Sequence, residues 1–170
     1  MIDINIVIGR FQPFTKGHLK CVEYVQDHFN VPTVLCVIET KKPDKRHPFL
    51  SDKLDPCFNA LKRHGIIENY LYVKNANIVD VSKILYDKGY NVKYWTCGTD
   101  RINEYSKQLR NYKDKSMVDD SCQCIEIPRT DEDISATSAR NFLLDDDKKN
   151  FEKIVPKEFD FNYLKKIYEK

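Results

Sequence analysis

Two stretches of this chain place phosphate-seeking groups where a helix should begin. The first is Gly9-Arg10-Phe11-Gln12-Pro13-Phe14-Thr15-Lys16-Gly17-His18. Apolar residues at helical spacing (Leu19, Val22, Val25, Phe29) follow it, so Thr15 can cap a helix. His18 then shares a face with Thr15, and both would point out of the helix mouth. The unsatisfied N–H groups and dipole of a first turn attract anions, and Gly17 lets a ligand approach without meeting a Cβ. A histidine there can donate a hydrogen bond to a phosphoryl oxygen, and its charge can assist where negative charge accumulates. The second stretch is Ile134-Ser135-Ala136-Thr137-Ser138-Ala139-Arg140. Ser135 reads as an N-cap, Thr137 brings a hydroxyl into the first turn, and Arg140 can swing planar donors onto a polyphosphate. Taken singly, each stretch also has a plainer reading: Gly9 as a turn before an ordinary capped helix, and Arg140 as a solvated charge.

The elements around these stretches follow from periodicity. Ile4 to Ile8 is β-branched and closed by Gly9, so it reads as a buried strand, and a helix runs from Lys16 to about Phe29. Strands are expected at 33–38, 69–73, 92–97 and 122–127. Helices are expected from Asp55-Pro56 to about Gly65, at 78–87, 101–110 and 136–144, and from Asp160 to the end. The stretch 41–48 is polar and reads as a surface loop, long enough to close over a ligand. Strands alternating with helices predict an α/β domain built on a five-stranded parallel sheet with helices on both faces. In such sheets ligands bind beyond the carboxyl ends of the strands, which is where both stretches fall.

Composition narrows the classes. At 170 residues the chain suits one domain, with 1–144 as its body and 145–170 as a C-terminal helical extension. A net charge of +2 argues against a nucleic-acid backbone as the main partner, so no nucleic acid is expected. No apolar stretch is long enough to span a membrane and no signal peptide is legible, so the expectation is a cytoplasmic protein without a membrane partner. The six cysteines, Cys21, Cys36, Cys57, Cys97, Cys122 and Cys124, are scattered, and four lie in apolar runs. They read as free buried thiols rather than disulfides or zinc ligands.

Taken together, the two stretches resemble the nucleotidyltransferase superfamily. Gly9 to His18 is similar to the Gly-Arg-Phe-Gln-Pro-Phe-His-x-Gly-His signature of its nicotinamide mononucleotide adenylyltransferase branch, and 134–140 to its Ile-Ser-x-Thr-x-x-Arg motif. Gly98-Thr99-Asp100-Arg101, after the fourth expected strand, resembles a Gly-x-Asp segment of several members. Two positions depart. Thr15 stands where that branch has His, although Thr is usual in the phosphopantetheine adenylyltransferase branch. Ala136 stands where Gly is usual, as in some viral cytidylyltransferase-like proteins that also carry Gly-x-Asp-Arg.

The resemblance implies a single Rossmann-like domain that transfers a nucleotidyl group from a nucleoside triphosphate to a phosphorylated acceptor and releases pyrophosphate. The first pairing it suggests is ATP with nicotinamide mononucleotide. Cytidylyl transfer from CTP to a small alcohol or sugar phosphate, phosphopantetheine adenylyl transfer, and a catalytically inactive nucleotide- or nucleic-acid-binding regulator stay open. By resemblance His18, Thr15 and Arg140 are catalytic. Gly9, Arg10, Phe11, Gly17, Gly98, Asp100, Ile134, Ser135, Ala136 and Thr137 contact the nucleotide, and Arg10, Lys42, Trp95 and Arg101 the acceptor. Trp95, inside a strand pattern, reads equally as core, and Lys41 and Lys42 as a solvated charge run. Mg²⁺ is expected on the triphosphate, with no metal site of the protein's own. Homo-oligomerisation, common in the family, is left open.

Overall fold

The computed structural model describes residues 1–128 and 135–168. Within them the chain runs β1 (Ile2–Gly9), α1 (Lys16–Phe29), β2 (Thr33–Ile38), α2 (Ser51–Arg63), β3 (Asn69–Val73), α3 (Ile78–Asp87), β4 (Tyr90–Gly98) and α4 (Thr99–Tyr112). A 3-10 turn at Lys113–Lys115 leads to β5 (Gln123–Ile127), then α5 (Ser135–Leu144), α6 (Lys148–Ile154) and α7 (Phe161–Tyr168). The strands form one wholly parallel sheet in the order β3-β2-β1-β4-β5. The chain winds outward from β1 to β3, then returns to the other side of β1 for β4 and β5. This makes the gap beyond the carboxyl ends of β1 and β4 the topological switch point, the crevice such sheets use for ligands.

Period-two alternation sends side chains to two apolar layers. Ile4, Ile6 and Ile8 join Val34, Cys36 and Val92 under α3 and α4. Val7, Leu35 and Val37 face the other way, under α1, α2 and α5 to α7. Helices therefore cover both faces, and the C-terminal helices share the second layer through Phe151, Phe161 and Leu164. One polar ladder crosses the interior: Thr96 Oγ1 donates to Asn5 Oδ1 at 2.6 Å, and Asn5 Nδ2 donates to Thr33 Oγ1 at 2.9 Å. It ties β4, β1 and β2 together with its polar atoms satisfied, as burial requires.

Three expectations need correction. Helix α2 starts at Ser51, not Asp55, and carries Pro56 inside it. Ser51 Oγ accepts from the Thr40 N–H at 2.7 Å, fixing the earlier start. Pro56 lacks the N–H that would have bonded the Asp52 carbonyl. Asp55, read as a cap, instead accepts from the hydroxyls of Tyr70 (3.0 Å) and Tyr72 (2.6 Å), pinning α2 to β3. Helix α6 was not expected; Asp147 starts it by accepting from Asn150 N–H at 3.3 Å. Finally, α5 begins at Ser135 itself, so Ser135 is its first residue rather than its cap.

The cysteines are free thiols, and all but the half-buried Cys124 are buried. Burial pushes the thiols of Cys57, Cys97 and Cys122 up to about 12. No helix among the described residues is long and apolar enough to cross a membrane.

Candidate active site

The turn between β1 and α1 is shaped around Phe11, which adopts a left-handed φ of 53°. A bulky residue pays for that conformation, so its packing has to hold it there. Its ring lies over Gly9, where an added Cβ would stand 3.2 Å from Cε1, and it is buried to 3% exposure. The ring also meets His18 edge-on at 5.0 Å, while Phe14 flanks the imidazole at 5.4 Å. Gly9 admits the phenyl ring of Phe11, and that ring packs against the imidazole.

Thr15 takes the N-cap position of α1 with extended backbone. His18 reaches back so that Nδ1 accepts the Thr15 N–H at 3.0 Å, half of a capping box. Thr15 Oγ1 lies 3.1 Å from the same nitrogen, and Thr15 is buried to 2% exposure. Thr15 therefore faces His18 while lining the cleft beside it. A backbone donor on Nδ1 fixes the tautomer: the proton sits on Nε2. Desolvation by the surrounding rings lowers the imidazole from 6.5 to about 4, so His18 is neutral at pH 7. The neutral imidazole keeps one N–H, at Nε2, for the hydrogen bond to a phosphoryl oxygen expected of it.

Around His18 a cleft of about 180 Å³ is lined by Thr15, Gly17, Cys21, Gly98, Asp100, Arg101, Ile127 and Ala136. These residues come from the start of α1, the β4–α4 junction, the end of β5 and the first turn of α5. An added Cβ at Gly98 would meet nothing within 4 Å, so the glycine leaves open space above β4. Asp100 sits in the first turn of α4, and Arg101 reaches Glu104 at 3.5 Å. Three helix N-termini thus border one opening, and each favours negative charge.

Arg140 lies to one side, half-buried, with Nη1 donating to the Gln12 carbonyl at 2.8 Å and Nη2 to Thr137 Oγ1 at 3.3 Å. Tyr168 of α7 and Arg46 of the 41–48 loop are within electrostatic reach of it, as is Asp44. Asp44 shapes that loop by accepting from the Arg46 and His47 N–H groups at 2.9 and 2.7 Å. Arg10 bridges the ends of β1 and β2, donating to the Glu39 carbonyl and Thr40 Oγ1, each at 3.3 Å.

Not every expected residue gathers here. Trp95 is fully buried, stacked on Tyr105 at 4.1 Å, so it is core and does not face an acceptor. Lys42 is exposed on the loop, away from the cleft lining, and Lys41 pairs loosely with Glu39 at 3.9 Å. Lys16 turns toward α6, with Nζ 3.5 Å from the Glu152 carbonyl. Ile134 falls outside the described residues. Sequence reasoning missed Gln12 and Arg46: the one signals only through a partner residue far along the chain, the other stood undifferentiated in a run of charges.

A search by sequence among curated proteins found no match. Among solved structures, nicotinic acid mononucleotide adenylyltransferase of Plasmodium falciparum complexed with NaAD superposes with a TM-score of 0.65 at 16% identity, covering 99% of this chain and 98% of that one. The same enzyme complexed with APC gives 0.62 at 15% identity, with the same coverage. A bifunctional NMN adenylyltransferase/ADP ribose pyrophosphatase from Francisella tularensis gives 0.59 at 18%, covering 99% of this chain and 52% of that one. Likeness at this identity speaks to the fold. The sequence itself matches the cytidylyltransferase-like family over residues 6–142, from β1 into α5. The chain belongs to the cytidylyltransferase-like family of nucleotidyltransferases.

Proposed function

We propose that the protein transfers an adenylyl group from ATP to the phosphate of a nicotinamide or nicotinic acid mononucleotide, releasing pyrophosphate. The observation that carries this reading is the neutral His18 N–H held at a cleft bordered by three helix N-termini. An acceptor phosphate oxygen attacks the α-phosphorus in line, and the bond from that phosphorus to the bridging oxygen of pyrophosphate breaks. No covalent intermediate with the protein is required, so the protein contributes position and charge stabilisation. His18 Nε2–H donates to an α-phosphoryl oxygen as charge gathers there, and Thr15 holds the imidazole in that pose. The α5 N-terminus, Arg140 and Arg46 receive the β- and γ-phosphates, which leave together. Arg10 uses the donors left over from its contacts with β2 for the acceptor phosphate. The open space at Gly98 admits the nucleoside, and Asp100 accepts from a ribose hydroxyl.

Magnesium would arrive on the triphosphate and neutralise part of its charge. Among the described residues no group of three or more His, Cys, Asp or Glu side chains is placed to hold a metal ion. The solved neighbours complexed with APC and NaAD lend support by their fold, and the Gly9–Phe14 lead supports the mononucleotide acceptor.

The test is pyrophosphate release with ATP and CTP, each crossed with nicotinamide mononucleotide, nicotinic acid mononucleotide, phosphopantetheine and simple alcohol phosphates. Turnover is expected with ATP and one or both mononucleotides. Turnover with CTP alone overturns the adenylyl reading and selects cytidylyl transfer, to which the Ala136 first turn and Gly98-x-Asp100-Arg101 also correspond.

A further inference from the structure

Arg140 rests on a residue 128 positions away, and that residue is itself braced. Gln12 is buried, and both ends of its side-chain amide are used on one partner: Nε2 donates to the Phe49 carbonyl at 2.9 Å, and Oε1 accepts the Phe49 N–H at 2.8 Å. The amide thus imitates a strand rung, clasping the β1–α1 turn to Phe49, two residues before α2 begins. The Phe49 ring is buried in turn, and Tyr168 at the end of α7 meets it edge to face at 5.4 Å and 84°. Helix α7 is anchored by Tyr163 Oη, which donates to the Lys53 carbonyl of α2 at 2.6 Å, and by Lys165 Nζ, which donates to the Leu143 carbonyl of α5 at 2.8 Å. Helix α5 carries Arg140, so the circuit closes.

We infer that Gln12 is a positioning residue for Arg140, and that its clasp on Phe49, with Tyr168 seated on the Phe49 ring, is the brace that fixes where the guanidinium sits. This rests on the proposed role of Arg140 toward the leaving phosphates. The physical reason is preorganisation. A free arginine side chain forfeits rotamer entropy when it settles on a ligand, and one already held by a fixed carbonyl forfeits less. Removing the Gln12 amide leaves the Phe49 N–H and C=O unpaired, releases the 43–49 segment and lets the Gln12 carbonyl drift. The defect falls on the triphosphate half of the site, while Arg10 and the acceptor side keep their contacts with β2.

The experiment compares the full-length protein with Gln12→Ala, Tyr168→Ala, Tyr168→Phe, Arg140→Ala and the double variants that join Arg140→Ala to each of the other two alanine changes. Readouts are steady-state constants and equilibrium binding of a non-hydrolysable ATP analogue. Gln12→Ala is expected to weaken analogue binding about tenfold with acceptor KM unchanged within about twofold, and to cost less than about twofold more once Arg140 is gone, as coupled positions do. Tyr168→Ala is expected to act in the same direction by about threefold with the same loss of additivity, whereas Tyr168→Phe, which keeps the ring on Phe49 and removes the hydroxyl within electrostatic reach of Arg140, is expected to leave analogue binding within about twofold; this pair decides the matter if Gln12→Ala does not fold, and an equal loss in Tyr168→Phe overturns the brace. Full multiplication with Arg140→Ala, an equal rise in acceptor KM, or no effect from a folded Gln12→Ala or Tyr168→Ala also overturns it. Unchanged analogue binding in Arg140→Ala alone overturns instead the role given to Arg140.

Discussion

Protonating His18 would break the contact that orients it. Nδ1 accepts the Thr15 N–H, and a second proton on the ring would set two donors against each other. In the unfolded chain the imidazole has its ordinary 6.5, whereas in the folded protein burial holds it at about 4. Between those values the unfolded state binds the extra proton and the folded state does not, so stability falls as pH drops from 6.5 toward 4. Urea melts at pH 7 and pH 5 should show this loss in the native protein and a smaller one in His18→Gln. An equal acid loss in both would mean that His18 is not the group responsible. The residue types of the site were legible in the sequence because capping and anion binding depend on spacing along one helix. Two aromatic rings closing on the imidazole were not, because that depends on Phe11 adopting a left-handed backbone.

At the scale of elements, strands and helices whose apolar period is unbroken were read nearly to the residue, α1, β2, β3 and α3 among them. The misreadings came from local signals overridden by tertiary ones. Asp55-Pro56 looks like a helix start, yet the Thr40–Ser51 hydrogen bond opens α2 earlier and Asp55 is taken by two tyrosines on β3. Trp95 is the same lesson in a strand: the aromatic is buried because α4 covers its face of the sheet and Tyr105 stacks on it. Its indole Nε1 has no hydrogen-bond partner among the described residues, so replacement by Phe removes an unsatisfied donor along with ring volume. Trp95→Phe should therefore cost only about 1–2 kcal/mol in denaturant unfolding. Both substrate KM values should stay at the native level; a several-fold rise in acceptor KM would return Trp95 to the site.

Across the whole molecule, the sheet order places the start of α1, the β4–α4 junction and the start of α5 around one opening, although they are separated by most of the chain. The parallel architecture was legible because alternating strands and helices leave few other topologies. The contacts joining Gln12 to Phe49, Phe49 to Tyr168 and Arg140 to Gln12 were not, since each pairs residues whose types say nothing of one another. Of the nearby cations, Lys16 turns toward α6, Arg101 lines the cleft, and Arg10 at the ends of β1 and β2 and Arg140 to one side are also available to a polyphosphate. The direct measurement is pyrophosphate formation from saturating ATP and mononucleotide by the native protein and by His18→Ala, with folding of both checked by melting. The native protein should release one pyrophosphate per dinucleotide formed, and the variant should be slower in kcat by about 10²-fold or more, the scale of losing a preorganised donor. A folded His18→Ala that turns over at the native rate would contradict the site proposed for the chemistry.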